Sequence, residues 1–287
     1  MPQAIVSPET ARGLQDAIVF DVRAGPGAAA AYVAAHLEGA LFADLEQDLA
    51  EVSDPESGGR HPLPAVAHFA SWLGDMGVTP DRPVVVYDDQ GGALAAARLW
   101  WMLRALGHLA VHILDGGMQA AQAAGWPVTA GTMRARAAPS YPATHYALPT
   151  VEFDEVDRLR GDVSARVVDV RGAARFRGDV EPIDPVAGHI LGAINVPYSE
   201  NLRPDGRFKS PAALRALYQS RLGGAATDRL VVHCGSGVTA CHTLAALDYA
   251  GLGIPALYVG SFSEWCRKAP TEQIARGDGS HPSQLGS

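Results

Sequence analysis

The hydrophobic positions of the chain fall into short runs that are separated by longer stretches of mixed polarity. Six of these runs are rich in valine and isoleucine, which is typical of strands buried on both faces of a parallel sheet. The pattern therefore predicts a sheet covered on both sides by other elements. The six predicted strands are Ile18–Phe20, Val84–Tyr87, Val111–Leu114, Val167–Val170, Leu230–His233 and Ala256–Val259.

Four stretches between these runs carry apolar residues at helical spacing, over residues 65–77, 93–107, 210–223 and 238–251. Two of them end at Gly107 and Gly251, where a glycine commonly follows the last helical residue. Alternation of strands and helices predicts an α/β fold with a mostly parallel sheet flanked by helices. Functional sites in such folds lie beyond the carboxyl ends of the strands.

The same sequence motifs occur twice along the chain and in the same order. Matched residues are separated by similar distances, from 144 positions for Gly116 and Gly260 to 153 positions for His36 and His189. Four matched segments in one order indicate an internal duplication. The pairs are "IVFDVR" (18–23) with "VVDVR" (167–171), "AHLEGALF" (35–42) with "GHILGAINVP" (188–197), "PVVVYDDQGG" (83–92) with "LVVHCGSGV" (230–238), and "ALGHLAVHILDGG" (105–117) with "YAGLGIPALYVGS" (249–261).

The duplication predicts two copies of one α/β domain. The stretch between the copies contains prolines and lacks clear periodicity, so it is typical of an extended linker. We therefore expect a first domain over residues 1–130, a linker over 131–148 and a second domain over 149–287.

Net charge, apolar runs and cysteine count argue against several classes of protein. A net charge of −8 argues against nucleic acid and anionic membranes as partners. No apolar run reaches the length of about 18 residues that a membrane span needs, and the first residues do not resemble a signal peptide. Three cysteines in 287 residues do not form a disulfide framework. We expect a cytoplasmic protein with reduced thiols.

A cysteine follows one predicted strand, in "HCGSGVTACH" (233–242). The amides at the start of the following helix have no intrahelical partner and lie at the positive end of its dipole, which favours the thiolate of Cys234. Gly235 and Gly237 allow the loop to curl with its amides inward, as in anion-binding nests. Amides as far as Thr239, with the Ser236 hydroxyl, could then surround the sulfur and an anionic atom attached to it.

These motifs together resemble the tandem-domain rhodanese-type sulfurtransferases over nearly the whole chain. The resemblance rests on "DVR" and "GHILGAINVP" in the second copy, the cysteine loop, and "WWMLRALGH…LDGG" in the first copy. It implies that Cys234 accepts a sulfane sulfur as a persulfide and passes it to a thiophilic acceptor. The first copy has residues 88–90, "DDQ", opposite the cysteine, so the resemblance implies a catalytically silent first domain.

The sequence of the cysteine loop is similar to that of the family branch that uses 3-mercaptopyruvate as sulfur donor. The thiosulfate branch typically places basic residues directly after the cysteine, whereas Gly235 and Ser236 are uncharged. We expect 3-mercaptopyruvate, with thiosulfate as the alternative, a thiol, cyanide or thioredoxin as acceptor, and no cofactor or metal. The resemblance implies that Cys234 and Ser236 are catalytic and that the loop binds the substrate through Gly235, Gly237, Val238 and Thr239.

Arg175, in "RGAARFRG", matches the family segment whose arginine binds the acidic end of the donor. An arginine can hold a carboxylate through two parallel hydrogen bonds. Many relatives of the mercaptopyruvate branch have a second arginine in a segment like "EPR", but this chain has Ile183 there. Arg177 is a candidate replacement, and a solvated surface arginine is the alternative interpretation.

A histidine of the first copy is a further candidate. His61, in "GGRHPLP", belongs to a region that some relatives direct towards the active site, and Glu46 and Asp54 are acids that could join it. A solvated loop histidine is the alternative.

The remaining histidines, aspartates and cysteines are interpreted as structural. Strand alternation turns His233 away from the loop. His36 and His189, like Asp21 and Asp169, occur in both copies, so they serve the fold, and we expect Cys241 in the core and Cys266 without a role.

Three rival functions share parts of this pattern. A cysteine phosphatase needs an arginine six residues after the cysteine, where this chain has Ala240. A thiol–disulfide oxidoreductase needs a C-x-x-C motif, which is absent from the sequence. A non-catalytic binding or sensing module of the same fold remains as the third alternative, and the intact cysteine loop argues against it.

Overall fold

The computed structural model describes residues 3–51, 54–93 and 95–278. Contacts along the chain divide it into two compact units. The first unit comprises Met1–Glu51, Leu63–Leu148 and Leu202–Phe208, and the second comprises Val52–Pro62, Pro149–Asn201 and Lys209–Ser287.

The first unit is built around a parallel five-stranded sheet in the order β1-β6-β5-β2-β4. A separate antiparallel pair joins β3 to β7. Its strands are β1 (Ile5–Val6), β2 (Ile18–Asp21), β3 (His36–Leu37), β4 (Leu41–Phe42), β5 (Val84–Tyr87), β6 (Val111–Leu114) and β7 (Val128–Thr129). Its helices are α1 (Pro8–Arg12), α2 (Ala28–Ala34), α3 (Val66–Asp75), α4 (Ala95–Ala105) and α5 (Gly117–Ala123).

The second unit repeats this topology strand for strand, with a parallel sheet in the order β8-β13-β12-β9-β11 and an antiparallel pair of β10 with β14. Its strands are β8 (Thr150–Val151), β9 (Arg166–Asp169), β10 (His189–Ile190), β11 (Ile194–Asn195), β12 (Leu230–His233), β13 (Ala256–Tyr258) and β14 (Ile274–Ala275). Its helices are α6 (Phe153–Leu159), α7 (Ala173–Arg177), α8 (Pro211–Leu222), α9 (Ala240–Tyr249) and α10 (Ser261–Lys268), with 3-10 turns at Tyr198–Asn201, Thr227–Arg229 and Thr271–Gln273. The predicted α/β fold of two similar domains, each with a parallel sheet flanked by helices, is confirmed.

The predicted strands lie at the centre of the two sheets. β5, β6 and β12 have the bounds that the apolar runs predict, and every residue of these strands is buried. The helix after the cysteine loop begins at Ala240, two residues later than the apolar spacing suggests. The loop between β12 and α9 is therefore long enough to curl before the helix starts.

The "DVR" motif forms the same brace in both units. The Arg23 guanidinium donates to both carboxylate oxygens of Asp21 and to the carbonyl of Ala35, at 2.6 Å. Arg171 donates in the same way to Asp169 and to the carbonyl of Gly188, at 2.7 Å. Each brace ties the end of a central strand to the segment before β3 or β10, which agrees with a structural role for both aspartates.

The paired histidines also serve the fold. His36 Nδ1 lies 2.8 Å from the carbonyl oxygen of Tyr32, on whose ring it stacks. His189 Nδ1 lies 2.8 Å from the carbonyl oxygen of Phe176, and their rings stack with centroids 3.7 Å apart. Both histidines are buried, as a core role predicts.

Two short segments interrupt a simple division of the chain into halves. The segment 54–62 follows β4 in sequence but is part of the second unit, and the segment 202–208 follows β11 but is part of the first unit. The two segments share a sequence pattern that is not among the four matched pairs described above. The pattern is "GGRHPLP" at 58–64 and "DGRFKSP" at 205–211. They are therefore equivalent parts of the duplication.

Residues 131–148 contain neither helix nor strand, as an extended segment predicts. They are nevertheless part of the first unit, where the amide of Tyr141 donates to the carbonyl of Ala70 at 2.9 Å and the Tyr141 side chain is buried. Among the described helices, none is both long and apolar enough to cross a bilayer.

Candidate active site

Cys234 is the first residue after β12 and lies at the carboxyl end of a central strand. Its side chain is buried, with 2% of the residue exposed. Its amide donates to the Ser261 hydroxyl at 3.2 Å, and its carbonyl accepts the amide of Phe262 at 3.1 Å. The carbonyl of Gly235 likewise accepts the amide of Ser263 at 2.8 Å. The start of α10 therefore fixes the backbone on which the thiol is carried.

The loop after Cys234 requires glycine for its path. Gly237 has a φ of +75°, and a Cβ atom there would lie 2.5 Å from the carbonyl oxygen of Val259. Side chains other than hydrogen are therefore excluded by both conformation and space. The Cys241 thiol lies 3.3 Å from the carbonyl of Gly237, so this buried cysteine packs beneath the loop, as expected of a core residue.

The equivalent loop of the first unit shows what such a loop binds. Asp88 follows β5 as Cys234 follows β12, and its side chain is fully buried. The Asp88 carboxylate accepts the amides of Gln90 at 2.9 Å and Gly92 at 2.7 Å. Two loop amides thus donate to one carboxylate oxygen of the first residue of the loop itself.

His61 and Ser236 meet within the second unit. His61 Nδ1 lies 2.7 Å from Ser236 Oγ, and Ser236 is buried. The sequence prediction that His61 lies near the cysteine loop thus matches this contact. A proton can pass along such a hydrogen bond in either direction, because a neutral histidine nitrogen can donate or accept.

The segment that carries His61 is anchored by its backbone. The amide of Arg60 donates to the Ser263 hydroxyl at 3.1 Å, and the amide of Gly58 donates to the Glu264 carboxylate at 3.3 Å. At Gly59 a Cβ atom would lie 2.3 Å from the carbonyl oxygen of Gly260, so the segment packs directly against the start of α10.

Two arginine side chains converge on Gly235. A Cβ atom placed there would lie 3.2 Å from Nη2 of Arg60 and 3.5 Å from Nη1 of Arg175. Arg175 comes from α7, where the sequence places it, whereas Arg60 was missed by the sequence analysis. The signal that could have found Arg60 is the Gly-Arg pair shared by "GGRHPLP" and "DGRFKSP". The loop after the cysteine is therefore flanked by two cations.

Carboxylates hold these arginines in place. Arg175 donates to Glu181 at 2.7 Å and lies 3.5 Å from Asp184, which also forms a short ion pair with Arg60. Ile183, where the resemblance led us to expect a second arginine, is 56% exposed. The second cation beside Gly235 is Arg60.

Arg171 is a further positive group close to the thiol. Burial disfavours its charge, but the carboxylates of Asp169 and Glu181 and the negative charge of Cys234 together raise the pKa of Arg171. Arg171 therefore interacts electrostatically with Cys234, whereas the sequence assigned Asp169 of the "DVR" motif to the fold and gave Arg171 no role of its own.

The other candidates lie in different surroundings. Arg177 pairs with Asp179 at 2.7 Å and its side chain is 36% exposed, so its observed contacts agree with the alternative of a surface arginine. Glu46 is exposed, and Asp54 is exposed with its carboxylate accepting the amide of Glu56.

His233 is buried, and Nδ1 lies 3.1 Å from the carbonyl of Cys234. Burial lowers the pKa of His233, so the ring is neutral near pH 7. Cys266 is also buried, and burial raises the pKa of its thiol to about 11, which disfavours a reactive thiolate.

Two alternatives can be judged against this geometry. The position at which a cysteine phosphatase carries its arginine is Ala240, the first residue of α9, whose side chain is buried. Within residues 3–51, 54–93 and 95–278, no three histidine, cysteine, aspartate or glutamate side chains are grouped so that they could hold a metal ion.

Comparisons with known proteins agree with the duplication. The model of the rhodanese-like domain matches the chain twice, over residues 7–124 and 152–268. A protein of Pseudomonas aeruginosa named "Probable 3-mercaptopyruvate sulfurtransferase" is 44% identical over 244 residues, which cover 85% of each chain. The thiosulfate sulfurtransferase of Rattus norvegicus is 37% identical over 245 residues, which cover 84% of this chain and 80% of the relative.

A solved structure shows the same similarity in three dimensions. The 3-mercaptopyruvate sulfurtransferase from Leishmania major superposes with a TM-score of 0.83 at 33% sequence identity. The match covers 95% of this chain and 77% of that one.

Proposed function

Since this chain belongs to the rhodanese family and is a sulfurtransferase, we propose that it takes sulfur from 3-mercaptopyruvate and carries it as a persulfide on Cys234. The observation that carries this proposal is the convergence of Arg60 and Arg175 on Gly235, directly after the cysteine. Their guanidinium groups can bind the carboxylate of the donor while its sulfur faces the thiol.

The first half-reaction transfers sulfur to the enzyme. The Cys234 thiolate attacks the donor sulfur, an S–S bond forms, and the carbon–sulfur bond of the donor breaks. The electron pair of that bond passes to the remaining three-carbon unit as the enolate of pyruvate, which takes up a proton at carbon. Arg171 and the loop amides stabilise negative charge on the sulfur throughout this step.

The His61–Ser236 pair is suited to the proton transfers of this step. The donor thiol loses its proton and the enolate gains one, so a group that both accepts and donates is required near the sulfur. The Ser236 hydroxyl, 2.7 Å from His61 Nδ1, belongs to the cysteine loop and can pass a proton to or from the ring.

The second half-reaction regenerates the thiolate. A thiophilic acceptor, which we propose to be a thiol, cyanide or a thioredoxin-like protein, attacks the outer sulfur and the S–S bond breaks. The outer sulfur leaves with the acceptor and Cys234 keeps the electron pair. Two separate half-reactions through a covalent intermediate give ping-pong kinetics.

Thiosulfate is the second candidate donor. A pair of arginines can also bind an oxyanion, and a relative that is 37% identical carries the name thiosulfate sulfurtransferase. None of the three cysteines, all of which lie within the described residues, forms a disulfide, and we further propose that the protein acts in a reducing compartment such as the cytoplasm.

The test measures kcat/KM for 3-mercaptopyruvate and thiosulfate side by side, with mass spectrometry of the protein after donor is added and before acceptor. We expect a higher value for 3-mercaptopyruvate and one additional sulfur atom on the peptide that contains Cys234. A higher value for thiosulfate would favour the second candidate. Absence of the added sulfur with either donor would refute the persulfide.

A further inference from the structure

Asp184 contacts both Arg60 and Arg175, the two arginines whose side chains approach Gly235 of the cysteine loop. Its side chain has no exposed surface, and one carboxylate oxygen pairs with Arg60 and also with Arg267, at 3.1 Å. The other oxygen lies 3.5 Å from Arg175. A single buried carboxylate is therefore shared by three arginines, two of which flank Gly235.

Asp184 also connects Arg60 and Arg267 to a continuous chain of ion pairs. Asp169 pairs with Arg171 at 2.7 Å, Arg171 with Glu181 at 3.3 Å, and Glu181 with Arg175 at 2.7 Å. Arg175 then reaches Asp184. The charges alternate along the whole chain, so each arginine is partly neutralised before a substrate binds.

The charge balance of this network is small. Its members among the described residues are four arginines and three carboxylates, which leaves one excess positive charge. His233 beside Asp169 adds none near pH 7, because burial lowers its pKa. The Cys234 thiolate of the proposed mechanism offsets this excess, so a donor with one negative charge meets less repulsion at the site than a dianion does.

We propose that Asp184 is a specificity-determining residue. Its buried carboxylate reduces the positive charge that Arg60 and Arg175 present, so that the site favours a donor with one carboxylate over the thiosulfate dianion. The inference rests on the proposed function, because it concerns the choice of donor at that site. Charges separated by several ångströms in a partly buried site interact strongly enough to alter such a choice.

The test measures kcat/KM for thiosulfate divided by kcat/KM for 3-mercaptopyruvate. It compares this donor ratio in two variants, one that removes a negative charge from the network and one that removes a positive charge. Asp184→Asn keeps the shape of the side chain and removes its charge, so we expect the ratio to rise about tenfold, as one unit of charge at this range allows. Arg267→Gln removes a cation of the same network, so the ratio should fall. Both changes should shrink at high ionic strength, because salt screens charge.

Arg177→Gln is the matched control, since it removes a half-exposed arginine that pairs with Asp179 instead. Its ratio should equal that of the unmodified protein. An unchanged ratio in Asp184→Asn, or a shift in the same direction in both test variants, would overturn the proposal. If Asp184→Asn does not fold, Arg267→Gln decides, and any result other than a lower ratio counts against the inference. If the unmodified protein uses neither donor, the proposed function fails before any variant is made.

Discussion

His61 Nδ1 and Ser236 Oγ lie 2.7 Å apart, although the two residues are separated by 175 positions in the sequence. The contact brings a titratable ring from the segment 54–62 to the hydroxyl of the cysteine loop. It gives the loop an imidazole, which residues 234–239 themselves do not contain.

This contact predicts a donor-dependent effect of His61→Ala and Ser236→Ala. Each change should lower kcat for 3-mercaptopyruvate by about a hundredfold, which is typical of losing a general acid or base. Sulfur uptake from thiosulfate should fall less, because no carbon atom of that donor needs a proton. Steady-state kinetics with both donors check this, and the double variant should be no slower than either single variant. An equal loss with both donors would contradict the assignment.

Cys234→Ser should abolish turnover with every donor, because a hydroxyl at that position cannot carry sulfane sulfur. Cys266→Ser is the matched control, since its thiol is buried and its pKa is raised to about 11. The control should keep the activity and the added sulfur that mass spectrometry detects. Persulfide on Cys266, or activity in Cys234→Ser, would show that the nucleophile has been misassigned.

Arg60→Ala and Arg175→Ala should each raise KM for 3-mercaptopyruvate by more than tenfold. A hydrogen bond between charged groups contributes about 1.5–3 kcal/mol, and each arginine flanks the residue after the thiol. Loss of one should therefore weaken binding of the carboxylate more than it slows the chemistry. Initial-rate kinetics separate KM from kcat, and a change confined to Arg175→Ala would exclude Arg60 as a binding residue.

Asp88→Ala should destabilise the protein without entering the chemistry. The change leaves the amides of Gln90 and Gly92 without the carboxylate that accepts them, which costs about 2 kcal/mol for buried donors of this kind. Urea unfolding followed by fluorescence measures the loss. Asp89→Ala, at a half-buried neighbouring position, is the control and should cost much less. Equal stability of the two variants would contradict the role given to the Asp88 carboxylate.

The acid stability of the second unit should depend on Glu181. Burial opposes ionisation of this carboxyl, but the hydrogen bonds from Arg175 and from the amides of Asp184 and Ile183 outweigh it, and the pKa is lowered from 4.5. A lowered pKa contributes stability above the unfolded value, and that contribution is lost as the pH falls through the folded value. Glu181→Gln should therefore be less stable at pH 7, with a difference that shrinks below pH 4.5 in denaturation curves. A difference independent of pH would exclude the ionised carboxylate as its source.

Local sequence patterns were sufficient for much of the fold and for the position of Cys234. The apolar run Leu230–His233 predicts both ends of β12 correctly. The glycines after Cys234 predict a curled loop, and Gly237 has a positive φ there. The duplication also predicts two units of one topology, because matched motifs in one order have matched places in the sheet. These features depend on residues close together in the chain, so their pattern is visible in the sequence.

The surroundings of the thiol were decided by the tertiary structure. Arg60 reaches Asp184 across 124 positions, and the side of the loop on which Arg60 lies depends on how the segment 54–62 packs against α10. Arg171, to which the sequence gave no role, interacts electrostatically with Cys234 in the folded chain. Periodicity and spacing report which face of an element is buried, but they carry no information about which distant side chain packs against it. The sequence by itself therefore determined the fold and the place of Cys234 at the end of a central strand, and only the folded chain decided which arginines and which histidine lie near the cysteine loop.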